Sequence, residues 1–126
     1  MNILLIEPDK LLAQIYAESL EANGHIVARS ATAQSAVHMA DQQTPDVVIM
    51  ELQLVEHSGV EFLYEFRSYP DWQTIPVLLH TSIPPAEFRD SWQLLSRQLG
   101  IVGYLYKPQT SLRQLLKSLN QQVIEA

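Results

Sequence analysis

Four polar side chains stand where apolar runs give out. Glu7 follows Ile3–Ile6, Glu51 follows Val47–Met50, Thr81 stands just beyond a run that begins at Val77, and Lys107 follows Ile101–Tyr106. Two carboxylates, a hydroxyl and an ammonium are the groups that handle a metal ion or a phosphoryl group. Carboxylates hold a divalent cation or are themselves modified, while donors neutralise phosphoryl oxygens. Each residue taken alone has a plainer reading, since the end of a strand is polar simply because it meets water. The chemistry needs all four in one place, so the question becomes which elements would bring them there.

The runs Ile3–Ile6, Val47–Met50, Val77–Leu79 and Ile101–Tyr106 are too short for helices and are bounded by polar or turn residues, as strands buried on both faces are. A shorter strand is expected over Ile26–Ala28. Helical spacing fills the intervals. Asp9 can cap a helix carrying Leu12, Ile15, Tyr16, Ser19 and Leu20, which Asn23-Gly24 stops. Thr32 can cap a helix over Ala33–Gln42 with a weak stripe of Ala36, Val37 and Ala40, and Thr44-Pro45-Asp46 breaks it. Ser58 or Gly59 begins a helix with Val60, Leu63, Phe66 and Phe62 on its apolar side, and Ser68–Pro76 reads as loop. After Pro84-Pro85 a helix is expected over Ala86–Gln98, with Phe88, Trp92, Leu95 and Leu99 in one stripe before Gly100 closes it. Ser111 can cap a last helix carrying Leu112, Leu115, Leu116, Leu119 and Val123. Five strands alternating with five helices predict an α/β fold, a parallel sheet with right-handed crossovers and helices on both faces. In such a sheet, ligands bind outside the carboxyl ends of the strands, where Glu7, Glu51, Thr81 and Lys107 would meet.

The bulk properties exclude several classes of function. At 126 residues and 47% apolar content the chain suits one sizeable core, and a single domain over residues 1–126 is expected, with no interdomain linker or internal repeat. A net charge of −6 and eight basic residues argue against nucleic acid as a partner. The absence of cysteine removes disulfides, thiolate zinc sites and cysteine nucleophiles. His25, His38, His57 and His80 show no metal-ligand spacing, and His80, one residue before Thr81, should face away from the site. No signal peptide and no apolar run of membrane-spanning length is present, so the expected location is the cytoplasm and no membrane partner is expected.

At this point the chain resembles the receiver domains of two-component response regulators over nearly its whole length. Ile-Leu-Leu-Ile-Glu-Pro-Asp at 3–9 is similar to the family's acidic opening, and the segment at 47–59 to its phosphoacceptor strand and loop. Pro-Val-Leu-Leu-His-Thr-Ser at 76–82 resembles the strand that ends in the switch hydroxyl, and Gly-Tyr-Leu-Tyr-Lys-Pro at 103–108 the strand with the switch aromatic and the Lys-Pro pair. The resemblance implies a flavodoxin-like fold with strand order 2-1-3-4-5. It implies an acceptor acid phosphorylated by a histidine kinase, with Mg²⁺ held by neighbouring acids. Carried over, it makes Glu51 the acceptor equivalent, Glu7 and Asp9 the acidic pocket, Thr81 and Tyr104 the switch pair, and Lys107 the phosphate-binding lysine. Gln53 would offer its backbone carbonyl to the metal.

The departures from that pattern decide the functional expectation. The acceptor position holds Glu51 rather than Asp, and the extra methylene pushes the carboxylate about one carbon–carbon bond outward, in a geometry that tolerates little error. The position of the second metal acid holds Pro8, and Asp9 beside it should turn elsewhere. Val55 stands where the family commonly has proline, four residues after the acceptor. These changes predict an atypical receiver that is not an enzyme, takes no phosphoryl group and needs no cofactor, with Glu51 paired to Lys107 in a permanent ion pair. Such a pair can also be structural only.

A longer interval between Thr81 and Lys107 than the family usually has is expected to be absorbed by Pro84-Pro85 and an extended fourth helix. Partners are then expected to be proteins, a histidine kinase or a downstream effector, on the face of the fourth helix, fifth strand and fifth helix. Tyr104 and Tyr106 point to one side there, Trp92 belongs to the helix stripe, and a homodimer through that face is a further expectation. Trp72 is expected to cover the core from its loop. Two rivals stand. One is a working phosphoreceiver using Glu51 or Asp9 with Mg²⁺; the other is a flavodoxin-like module for a small ligand, against which no Gly-x-Gly-x-x-Gly or Gly-Lys-Ser/Thr is present.

Overall fold

Continuous apolar runs need cover on both sides, and the strands find it in a five-stranded parallel sheet ordered β2-β1-β3-β4-β5. The computed structural model describes residues 1–125, with side chains through Gln121. In chain order the elements are β1 (Asn2–Ile6), α1 (Lys10–Ala22), β2 (Ile26–Ser30), α2 (Ala33–Gln42), β3 (Val47–Met50), α3 (Gly59–Ser68), β4 (Val77–Thr81), α4 (Trp92–Leu99), β5 (Ile101–Tyr106) and α5 (Leu112–Glu125). Alternation along each strand sorts its side chains into two cores. Leu4, Ile6, Val48, Met50 and Leu79 face Ala36, Ala40, Phe62, Leu63, Phe66 and Leu99 of α2, α3 and α4. Ile3, Leu5, Val47, Ile49 and Leu78 face Ala13, Ala17, Leu20, Leu115 and Leu119 of α1 and α5. Each fully buried aromatic or large aliphatic side chain contributes about 1.5–3 kcal/mol. Among the described residues no helix is long and apolar enough to cross a membrane.

The expected caps are made. The Asp9 side chain accepts from Leu12 N–H, Thr32 from Ser35 N–H, and Ser58 from Glu61 N–H. Ser111 and Gln114 cap α5 reciprocally: the Gln114 N–H donates to Ser111 Oγ at 3.2 Å and the Ser111 N–H to Gln114 Oε1 at 2.7 Å. β2 and β4 each run two residues further than the apolar runs alone suggest, through Ser30 and Thr81. Parallel pairing, not apolar content, sets their ends.

Several expectations need correction. The buried face of α1 is Ala13, Ala17 and Leu20, with Tyr16 beside them, while Ile15 is exposed. Small alanines let the helix lie close to the sheet, and that contact is worth more than the burial of the larger Ile15. The segment Ser68–Pro76 is not simply loop. Ser68 ends α3, and a 3₁₀ turn over Pro70–Trp72 buries the Trp72 ring against Phe66, 5.0 Å between centroids. The extended fourth helix does not form either. Pro85–Phe88 makes a 3₁₀ turn, the chain bends through Arg89–Ser91, and α4 begins only at Trp92. Its first turn has no side-chain cap at Ser91, whereas Gly100 closes its far end in the left-handed conformation at φ 65°. Phe88, Trp92, Leu95 and Leu99 still share one core despite the break. The side chain of Val123, the last of the α5 stripe, lies outside the described side chains.

One side chain of α3 fastens this half of the molecule. The Arg67 guanidinium donates to the Leu99 carbonyl at 2.9 Å, to Trp72 at 2.5 Å and to Ile75 at 2.5 Å, tying the end of α4 to the approach to β4. Replacing Arg67 with Ala is expected to cost about 3 kcal/mol, read as a lower urea midpoint at unchanged slope.

Candidate functional site

Strand register explains why four residues far apart in sequence meet. Ile6 pairs with Met50, Met50 with Leu79, and Thr81 with Tyr106, so Glu7 and Glu51 stand level at the carboxyl edge, with Thr81 one residue step and Lys107 two steps further out, at ~3.3 Å per step. There they converge around an ammonium. Lys107 Nζ lies 2.6 Å from Glu7 Oε1 and 2.8 Å from Glu51 Oε1, and both carboxylates are 4% exposed.

The Glu51 carboxylate accepts from six donors. Oε1 takes Lys107 Nζ, the Ser82 N–H at 3.1 Å and the Ser82 hydroxyl at 3.2 Å. Oε2 takes the Thr81 hydroxyl, the Leu52 N–H at 2.7 Å and the Gln53 N–H at 3.1 Å. A carboxylate offers about four lone-pair directions, so none is left over. Burial disfavours its charge, but the bonds from Lys107, Thr81 and Gln53 outweigh that and hold its pKa down to about 2. Burial likewise works against the Lys107 ammonium, and its bonds to Glu51 and Glu7 outweigh this and raise its pKa.

The loop that follows Glu51 is held by contacts that only its own residues permit. The Gly59 N–H donates to the Leu52 carbonyl at 2.7 Å, and Gln53 bridges to Ser58. A Cβ on Gly59 would stand 2.6 Å from Leu52 Cα, so the loop can close this tightly only on glycine. At its tip Glu56 takes a left-handed backbone, φ 73°, which costs a non-glycine residue about 1–3 kcal/mol.

Two residues depart from the roles that the resemblance implied, Asp9 doing so in the way its place before α1 predicted. Asp9 does not enter the acidic pocket through its side chain: the exposed carboxylate caps α1, and only its N–H turns back, to Glu7 Oε2 at 3.1 Å. Gln53 lends its N–H to Glu51 and its side-chain oxygen to the Ser82 hydroxyl, at 3.1 Å. Ser82 belongs to the site and was not anticipated as such; its only signal in sequence was its place directly after Thr81.

Tyr104 extends the site outward. Its hydroxyl donates to the Ile83 carbonyl at 2.5 Å, and the Ile83 N–H in turn donates to Thr81 Oγ1 at 3.2 Å. Its ring meets Trp92 edge-on at 5.6 Å and lies 6.2 Å from Phe88. Burial and the nearby Glu51 charge push its pKa up to about 12. As alternation predicts, His80 faces the other side of the sheet, edge-on to Tyr16 at 4.9 Å. Burial, with the Lys107 charge adding to it, pulls its pKa down to about 4.

The donor set fits a divalent cation poorly. Its two carboxylates already share an ammonium, Pro8 contributes no side-chain oxygen, and Asp9 is committed to its cap. Among the described residues no three His, Cys, Asp or Glu side chains gather in a metal-binding group.

Comparisons agree with this architecture. The profile of the response regulator receiver domain family matches residues 3–120. The polar-differentiation response regulator DivK of Brucella ovis is 27% identical over 107 residues, 85% of this chain and 84% of that protein. The KDP operon transcriptional regulatory protein KdpE of Escherichia coli is also 27% identical over 107 residues, but these are only 44% of its length. In fold, the chain superposes on the chemotaxis response regulator CheY4 of Vibrio cholerae with a TM-score of 0.83 at 23% identity, covering 96% of this chain and 97% of that one. A sensor protein from Polaromonas gives 0.86 at 18% identity, covering 98% and 96%. The fold is flavodoxin-like.

Two measurements check the electrostatics. Lys107→Met leaves two buried carboxylates without their cation, and is expected to cost about 3–5 kcal/mol at neutral pH. The loss should shrink once the pH falls low enough to protonate them, which chemical denaturation at several pH values would show. In the parent protein, His80 and Glu51 both have folded pKa values below their unfolded ones, so both stabilise at high pH and lose that stability in acid. His80 gives up about 3 kcal/mol between pH 6.5 and about 4, and Glu51 a similar amount between pH 4.5 and about 2. Glu51→Gln should keep the first slope and lose the second.

Proposed function

Because this chain belongs to the response regulator receiver domain family, we propose that it serves two-component signalling as an atypical receiver, an interaction module that takes no phosphoryl group. The observation that carries this reading is the saturated Glu51 carboxylate. An acceptor oxygen must be free to attack, and each Glu51 oxygen accepts three donors, the ammonium that also serves Glu7 among them. Its pKa of about 2 makes it a weak nucleophile as well. The longer side chain occupies space that a phosphoryl group and a metal would need, and Pro8 and the capping Asp9 leave Glu7 without a second metal acid beside it. The module therefore works without Mg²⁺.

Glu51 takes over the organising role of a phosphoryl group. A phosphoryl charge at the acceptor would draw the Thr81 hydroxyl and the Lys107 ammonium toward it. The Glu51 carboxylate, one methylene further out, already binds both. Through Thr81, Ile83 and Tyr104, that grip reaches the ring that stands against Trp92. The domain is thereby held in one arrangement, and its output is the surface of α4, β5 and α5 that Tyr104 supports, offered to a histidine kinase or an effector. Residues 1–126 act as one such unit, a signalling module with no turnover chemistry. The names of DivK and KdpE, both regulators, are consistent with this role.

The test is the intact mass after incubation with acetyl phosphate and Mg²⁺, or with a cognate kinase. The parent protein is expected to keep its mass. The double variant Glu51→Asp, Pro8→Asp, which shortens the acceptor and supplies the second acid, is expected to gain one phosphoryl group. A stoichiometric phosphoryl adduct on the parent protein would overturn the proposal.

A further inference from the structure

The outer surface of α3 and α4 is divided by charge. The two helices follow neighbouring strands of a parallel sheet and so run side by side in the same direction, and the Tyr64 hydroxyl donates across them to Gln98 Oε1 at 3.2 Å. That contact sets the two residues level and makes Tyr64 lean toward α4. Leu94, one turn before Gln98, stands on the same side of α4, and Tyr64 and Leu94 are 50% and 59% exposed. Glu61 and Glu65 lean the other way, lining a cleft with Gln34 and Val37 of α2. Arg97, two residues from both Leu95 and Leu99, points away from the core that holds them. Two exposed apolar side chains thus separate two carboxylates on α3 from one guanidinium on α4.

These charges lack close partners within the chain. Among the described residues Arg97 and Glu65 make no ion pair, and Glu61 has only His57, at 3.8 Å. The other charges nearby lie off this surface. Arg67 is committed to backbone carbonyls, Arg89 and Glu87 stand on the Tyr104 side of α4, and Glu56, Asp71 and Asp90 lie beyond the helix ends. We propose that this surface pairs with its own image in a second copy of the chain, about a two-fold axis running along the groove between α3 and α4. That rotation lays α3 of each copy over α4 of the other without reversing its direction. With Tyr64 and Gln98 level, Arg97 falls at a height between Glu61 and Glu65 of the second copy, about 3 Å from each along the helix. Tyr64 and Leu94 of both copies meet near the axis, and the charge pairs form the rim. A partner of one charge sign would be repelled by one half of this surface, whereas its image satisfies both halves.

The pairing uses none of Glu7, Glu51, Thr81 and Lys107, so it stands or falls apart from the proposed function. Sedimentation equilibrium on the full chain at about 0.1 mM should show the mass rising from the 14.3 kDa of one chain toward twice that value. Arg97→Glu should raise the dissociation constant at least about tenfold, and so should the double variant Glu61→Arg, Glu65→Arg. All three positions are exposed, so circular dichroism should be unchanged in each. Mixed in equal amounts, these two variants should pair with each other, because each now carries one sign of charge on both halves and the signs are opposite. A fold that was merely damaged could not be rescued in this way. Lys117→Glu, on α5, should leave the dissociation constant of the parent within about twofold. A parent that keeps the mass of one chain, a dimer indifferent to Arg97→Glu, variants that do not pair on mixing, or a dimer lost on Lys117→Glu would each refute the pairing.

Discussion

A single ammonium neutralises two buried carboxylates at the carboxyl edge of the sheet, and the arrangement of the site follows from it. Glu7 follows β1, Glu51 follows β3 and Lys107 follows β5, so the Lys107 contacts join the ends of three of the five strands at the edge where a parallel sheet has no turns to hold it together. Without the ammonium, two negative charges would face one another out of water, a cost of several kcal/mol per ion. With it, both carboxylates are paired, and among the described residues no buried side-chain oxygen or nitrogen lacks a partner. The same contact takes up one of the acceptor positions of each carboxylate.

The influence of this charge centre reaches both faces of the sheet. On one face burial and the Lys107 charge, opposed by Glu51, hold the pKa of His80 down to about 4, so the ring that meets Tyr16 edge-on is neutral at pH 7. On the other, the Glu51 carboxylate holds the Thr81 hydroxyl, which receives the Ile83 N–H, and the Ile83 carbonyl receives the Tyr104 hydroxyl. The aromatic surface beside α4 is thus positioned by hydrogen bonds that start from a carboxylate within the sheet edge.

The strands were legible because a parallel sheet demands uninterrupted apolar runs, and Ile3–Ile6 and Val47–Met50 can be little else. The meeting of Glu7, Glu51, Thr81 and Lys107 was legible for the same reason, since strand ends in such a sheet share an edge. The helix faces were harder to read. Ala13 and Ala17 outrank Ile15 because close approach to the sheet decides burial, and side-chain size hides this. The stripe from Phe88 to Leu99 satisfies one long helix and a 3₁₀ turn followed by a short helix equally well, and the break between them falls at Arg89–Ser91, where the spacing of apolar residues carries no signal. Within the site, the sharing of Lys107 with Glu7 and the contribution of Ser82 were out of reach, because they depend on where long side chains come to rest rather than on period or spacing.

α4 is fastened at one end only. Gly100 and the Arg67 guanidinium secure its carboxyl end, while its amino end starts at an uncapped Ser91 after a bent connection. A rod of eight residues is about 12 Å long, so a small tilt about a fixed end displaces the other end by the full arc. Leu99 sits at the end secured by hydrogen bonds, and Trp92 at the end secured by packing alone. The contact between Trp92 and Tyr104 is therefore what fixes the direction in which the helix leaves its bend.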